Sequence, residues 1–150
     1  MLRLIIIAVI GFNAFAAQAV DELFVVREPA AITAEADRHL SGIGALQDDS
    51  RAFELYQEAA ALGDARAIHA LGMMYAQGRG VAQDDVVAVS YFRNAMARSY
   101  GPAMTSLGIA YAEGRGVAAD PATAYTLLKQ AADAGDTQAR DYLVRAKLKP

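Results

Sequence analysis

The chain of 150 residues contains no cysteine and no tryptophan, only four prolines and only two histidines. Without cysteine there is no disulfide framework, no thiolate zinc site, no thiol nucleophile and no acylated N-terminal Cys of the bacterial lipoprotein kind. A surplus of positive charge is also missing. Fourteen Lys and Arg face seventeen Asp and Glu, for a formal net charge of −3. That balance excludes a protein whose main work is gripping nucleic acid, which shows as a basic domain. Aromatics are scarce at 8%, yet 55% of residues are hydrophobic. Alanine, with 34 residues, supplies much of that excess. The length suits one domain of ordinary size.

Part of the hydrophobic content lies in the first twenty residues. Arg3 is followed by Leu4-Ile5-Ile6-Ile7-Ala8-Val9-Ile10, and apolar character continues to Phe15. Ala17-Gln18-Ala19 is an A-x-A site, with acidic Asp21 and Glu22 beyond it. A basic start, an apolar run of about a dozen residues and small residues at −3 and −1 are the parts of a secretory signal. The run falls short of the roughly 20 apolar residues that span a membrane. The sequence therefore predicts a signal peptide over 1–19, cleaved after Ala19 (a leader retained as an anchor is the alternative), export to the periplasm, and no membrane span after its removal.

The remainder is organised by a period of 36. Ala67–Asp84 and Ala103–Asp120 are identical at eleven of eighteen positions. The same offset aligns Ala52, Ala88 and Ala124, then Ala59, Ala95 and Ala131, then Asp48, Asp84 and Asp120. A fixed period of this length marks a repeat architecture. Each period reads as two helices. Helix A is predicted over Asp49–Leu62, Asp85–Arg98 and Pro121–Ala134, with apolar residues at i, i+3, i+4 and i+7. Helix B is predicted over Asp64–Gln77, Gly101–Glu113 and Asp136–Lys147. Gly72 and Gly108 fall inside helix B, where glycine costs about 1 kcal/mol against alanine. A neighbouring helix crossing too closely for a Cβ explains them. The expected layout is an extended segment over 20–28, a capping half-repeat over 29–47, and repeats over 48–83, 84–119 and 120–150.

Leu71-Gly72…Tyr75, Gly78…Val81…Asp84 and Ala88…Phe92…Ala95 form a motif. Leu107-Gly108…Tyr111 and Gly114…Val117…Asp120 repeat it. In this motif the chain resembles the Sel1-like repeat family over about residues 50–145. The tetratricopeptide repeat shares the L-G-x-x-Y core but has a 34-residue period and lacks the G-x-G-V connector. The resemblance implies an all-α, right-handed αα-solenoid of about three helix-turn-helix repeats with a degenerate N-terminal cap helix. It further implies scaffolding or regulation through a protein partner. The middle turn departs from the pattern: Ser99 replaces Gly63 and Gly135, Gly101-Pro102 opens the next helix, and Met96 replaces the second alanine.

No catalytic constellation is visible. The G-x-G connectors follow a helix and lack the strand, third glycine or Lys-Ser/Thr of a phosphate cradle. Arg79 and Arg115 hold one slot of successive connectors. They read either as contacts for an anionic partner or as partners of the local Asp84, Asp85 or Asp120. His39 and His69 lack further ligands at helical spacing, so neither a metal nor a cofactor is expected. The serines have no nucleophile-elbow context. What remains is a surface made of the positions that differ between repeats. Gln57, Arg93 and Lys129 form a polar-to-basic stripe beside Phe53, Val89 and Tyr125, and Tyr100 adds an aromatic near the middle turn. With helix A lining the concave face, this stripe is the expected docking site for a protein or peptide. The function expected is that of a non-catalytic periplasmic scaffold or regulator of an envelope complex. A small cell-wall or β-lactam-acting enzyme and a secreted effector binding a host surface are the alternatives.

Overall fold

The computed structural model describes residues 27–149. The expected signal peptide with its Ala19 site, and all but the last two residues of the expected extended segment, lie outside the described residues. Among the described residues seven helices follow one another. They are α1 (Pro29–Ser41), α2 (Asp49–Ala61), α3 (Ala65–Gln77), α4 (Asp85–Ala97), α5 (Gly101–Glu113), α6 (Pro121–Asp133) and α7 (Thr137–Ala146). The predicted B helices open one residue later than expected at Asp64 and Asp136, because both aspartates act as N-caps. Each accepts hydrogen bonds from two backbone N–H groups of the first turn. Asp84 and Asp120 cap α4 and α6 in the same way, and Asp48 caps α2 by accepting from the Arg51 N–H alone, satisfying donors that a helix start leaves unpaired.

Three alanine triplets at the 36-residue offset are buried throughout: Ala52, Ala88 and Ala124; Ala59, Ala95 and Ala131; Ala67, Ala103 and Ala139. Small side chains let the helices cross closely, and larger ones (Leu55, Tyr56, Leu71, Met74, Phe92, Leu107, Leu128) fill the space between them. The tightest crossings join each B-type helix to the next A-type helix, as α3 to α4 and α5 to α6. A Cβ on Gly72 would lie 2.6 Å from Phe92 Cε1, and one on Gly108 2.8 Å from Leu128 Cγ. The close-crossing explanation of these glycines holds. At the corresponding site of α7, Val144 is 73% exposed and packs against no further helix among the described residues.

The connectors fold back on the preceding unit. Gly80 (φ 67°) and Gly116 (φ 68°) lie so close to the carbonyls of Asp49 and Asp85 that neither leaves room for a Cβ. This contact decides where the connector arginines reach. Arg79 forms two bonds to Asp49, Nη2 to Oδ1 at 2.6 Å and Nε to Oδ2 at 3.1 Å, and donates to the Leu40 carbonyl at 2.8 Å. Arg115 repeats the arrangement on Asp85 and the Ala76 carbonyl. The expected pairing with local Asp84, Asp85 or Asp120 is thus corrected. Each arginine pairs one repeat upstream, because the connector is laid across the start of the previous A helix.

The middle turn keeps its geometry despite its sequence. Ser99 adopts φ 62° where Gly63 and Gly135 have φ 89° and 101°. Its neighbour Tyr100 departs more. Thr33 donates to the Asp64 carboxylate at 2.9 Å, and Thr105 to Asp136 at 2.6 Å. The equivalent middle pair is His69 and Tyr100, whose rings meet at 5.3 Å. A polar bond between units is replaced there by aromatic packing, and α5 begins without a side-chain cap.

Candidate partner-binding surface

The A-type helices α2, α4 and α6 expose the positions that differ from unit to unit. Gln57, Arg93 and Lys129 are all exposed, at one place on each helix. Their surroundings differ. Arg93 Nη2 donates to the Tyr111 hydroxyl at 3.0 Å, with the guanidinium 6.0 Å from the ring centroid. Lys129 is clasped by Asp133 one turn along its own helix. Its ammonium is thereby held in the charged form, chiefly by that hydrogen bond. Phe53 meets Tyr75 edge-on at 5.7 Å, and Tyr75 stacks on Tyr91 at 5.6 Å and 16°. This ladder ties the first unit to the second, with Tyr75 half-buried between the two rings. Tyr125 is half-buried, and Tyr100 lies against His69. Arg79 and Arg115 are occupied by Asp49 and Asp85.

Between α2 and α4 the surface opens into a groove of about 330 Å³. Gln57, Ala60 and Ala61 form one wall, Asn94 and Arg98 the other, and Ile68, Leu71 and Tyr91 the floor. Short alanine side chains on α2 leave the space. Arg98 stands at the C-cap of α4, where its Nη1 donates to the Asn94 side-chain oxygen. The stripe expected from sequence contains Gln57 but omits Arg98, although a signal was present. Arg98 occupies the position of Leu62 and Ala134, a charge where the other units are apolar.

His69 and Ser106 are brought together across two units, with Nε2 2.8 Å from Oγ. Burial lowers the His69 pKa to about 4. The ring packs between Phe92 and Tyr100, at centroid distances of 5.5 and 5.3 Å. Ser106 Oγ also lies 3.4 Å from the Pro102 carbonyl. An imidazole this weakly basic is poorly suited to activating a hydroxyl at neutral pH. The bond joins repeats. Among the described residues no group of acidic, His or Cys side chains is arranged to hold a metal ion, and no helix is long and apolar enough to cross a membrane.

Stacked helix pairs that leave a variable surface define an αα-solenoid of the interaction-scaffold class. A family model for the Sel1 repeat matches residues 33–64, 65–99 and 101–136. The chain belongs to the Sel1 repeat family, whose repeats mediate protein–protein interactions. The matched units begin in α1 and pair each B-type helix with the following A-type helix, which is also the tighter packing. A Sel1 repeat protein from Oxalobacter formigenes is 34% identical, with TM-score 0.67, covering 78% of this chain and 88% of that one. A protective antigen of uropathogenic Escherichia coli with an SLR fold is 32% identical, with TM-score 0.72. That match covers 80% of this chain and 26% of the larger protein. Cysteine-rich protein B of Helicobacter pylori shares the fold at 22% identity and TM-score 0.62, over 76% of this chain and 92% of that one. Comparison with curated proteins gave no match.

Proposed function

We propose that the protein is an exported, non-catalytic scaffold that works in the periplasm and holds a protein partner of an envelope complex on its concave, A-helix face. The observation that supports this reading best is the row of exposed, unit-specific side chains on α2, α4 and α6, with an open groove between the first two of these helices. Core positions repeat at 36-residue intervals while these do not, as expected where a solenoid's stack is fixed and its surface is free to specialise. The leader-like first nineteen residues supply the argument for export. The depressed basicity of His69 argues against the hydrolase alternative.

Photocrosslinking from Gln57 and Arg93 in living cells, with fractionation, tests the proposal. A discrete crosslinked protein recovered with the periplasmic fraction is the expected result. Arg93→Glu combined with Lys129→Glu should reduce its capture while far-UV circular dichroism stays unchanged. Turnover of peptidoglycan or a β-lactam reporter by the purified protein would overturn the non-catalytic reading. Recovery only in the culture medium would move it to the secreted class.

A further inference from the structure

We infer that the groove between α2 and α4 takes an acidic, extended peptide segment, with a carboxylate at Arg98 and an apolar side chain on the Tyr91 ring. The inference rests on the scaffold reading and names the chemistry of the partner.

Charge complementarity carries it. The protein is acidic overall, and Arg27, Arg51, Arg66, Arg79, Arg115 and Lys129 are each matched to a carboxylate. Arg38, Arg140, Arg145, Lys147 and Lys149 lack a carboxylate within 4.0 Å among the described residues, but none of them lines the groove. On the outward face of α4, among the described residues, neither Arg93 nor Arg98 has a carboxylate partner within 4.0 Å either. Both are held instead by neutral groups, Arg93 by the Tyr111 hydroxyl and Arg98 by the Asn94 amide. Such contacts orient a guanidinium without neutralising it, and they leave donors of its planar fork for a carboxylate. Nor does the opposite wall repel an acidic ligand strongly. Gln57 is neutral, and Glu58, next to it on α2, lies 3.6 Å from Arg27. At the base Ile68 and Leu71 are almost fully buried and the half-buried Tyr91 ring supplies the accessible surface, so the groove offers a charged rim beside an aromatic face.

Selection of random heptapeptides on the immobilised full-length protein tests the chemistry. Enrichment of Asp or Glu next to a bulky apolar residue is expected. A synthetic enriched peptide should bind about tenfold more weakly once its acids are replaced by Gln or Asn, and its affinity should fall as salt rises. Arg98→Leu, which installs the residue of the first unit at this position, should weaken binding by a similar factor. Far-UV circular dichroism checks that this variant folds. Enrichment of neutral or basic peptides, no enrichment at all, or acidic binding that survives Arg98→Leu combined with Arg93→Gln would each overturn the inference. The crosslinking experiment separates this from the wider reading. A periplasmic partner captured equally by wild type and the double variant leaves the scaffold standing and removes the acidic groove. Absence of any crosslinked partner removes the scaffold reading itself.

Discussion

The imidazole of His69, on α3, and the hydroxyl of Ser106, on α5, lie 2.8 Å apart and join two successive repeats inside a sleeve of Phe92 and Tyr100. Among the described residues no carboxylate pairs with the ring, so nothing offsets the cost of charging it there. Burial sets its pKa at about 4, against an ordinary 6.5.

The pH dependence of stability follows from that difference. Between pH 6.5 and 4 the unfolded chain binds a proton at His69 that the folded chain refuses. Stability from this residue is complete above pH 6.5, declines as pH falls and levels off below about 4. The loss amounts to roughly 3 kcal/mol at most. Urea denaturation at pH 7.0, 5.5 and 4.5 should show the slope, and His69→Gln should flatten it. A slope identical in the variant would assign the effect elsewhere. The carboxylates held below their usual range titrate lower still. They are Asp49, through its bond from Arg79, Asp120, through the Thr123 hydroxyl and first-turn N–H groups, and Asp136, where the Thr105 hydroxyl and backbone N–H groups outweigh the opposing effect of burial.

The arginine clasps are expected to contribute modestly. Arg79 and Asp49 are each about one-third exposed, which limits a bidentate pair to about 1 kcal/mol. Arg79→Met should lower stability by about that amount, and a double-mutant cycle with Asp49→Asn should return a coupling that shrinks in high salt. A coupling of zero would leave the Leu40 carbonyl bond as the only function of this side chain.

The helical glycines differ in what they tolerate. On propensity alone Gly→Ala stabilises a helix interior by up to about 1 kcal/mol. Gly101 has nothing near its would-be Cβ, but it opens α5 directly before Pro102. The proline ring disfavours helical backbone in a preceding residue with a Cβ, so Gly101→Ala should leave stability nearly unchanged. Gly72→Ala, aimed into the Phe92 ring, should destabilise, and Gly108→Val should cost about 3 kcal/mol or more. Thermal melts read all three, and an unchanged melting temperature for Gly108→Val would contradict the tight α5–α6 crossing.

Ser99 sits in the left-handed region, which costs an L-residue roughly 1 kcal/mol or more relative to glycine. Ser99→Gly should therefore raise the melting temperature slightly, offset in part by the freer unfolded chain. A lower melting temperature would point to an unseen contribution from the serine hydroxyl.

Local signals in the sequence translated well. The 36-residue period and the glycines at helix crossings are each carried by a few residues at fixed spacing. The unread parts depend on how one unit lies on the next. Arg79 has acids nearby in sequence at Asp84 and Asp85, yet the connector path delivers it to Asp49. Lys129 looked available, although Asp133 at i+4 was already a legible partner. Arg98 escaped notice because it caps a helix and lies off the repeating stripe. The exchange of Thr–Asp for His69–Tyr100 was readable in principle. It needed positions 33, 69 and 105 to be compared together with 64, 100 and 136.

The arginine clasps also have a direction. Asp49 and the Leu40 carbonyl precede Arg79 in the chain, and Asp85 and the Ala76 carbonyl precede Arg115. Synthesis from the N-terminus therefore makes each receptor before the residue that docks on it, in the order in which nascent domains fold. A growing chain needs only to add a unit to a surface already formed. A chain refolding from its C-terminal end would instead bring out each arginine before its carboxylate.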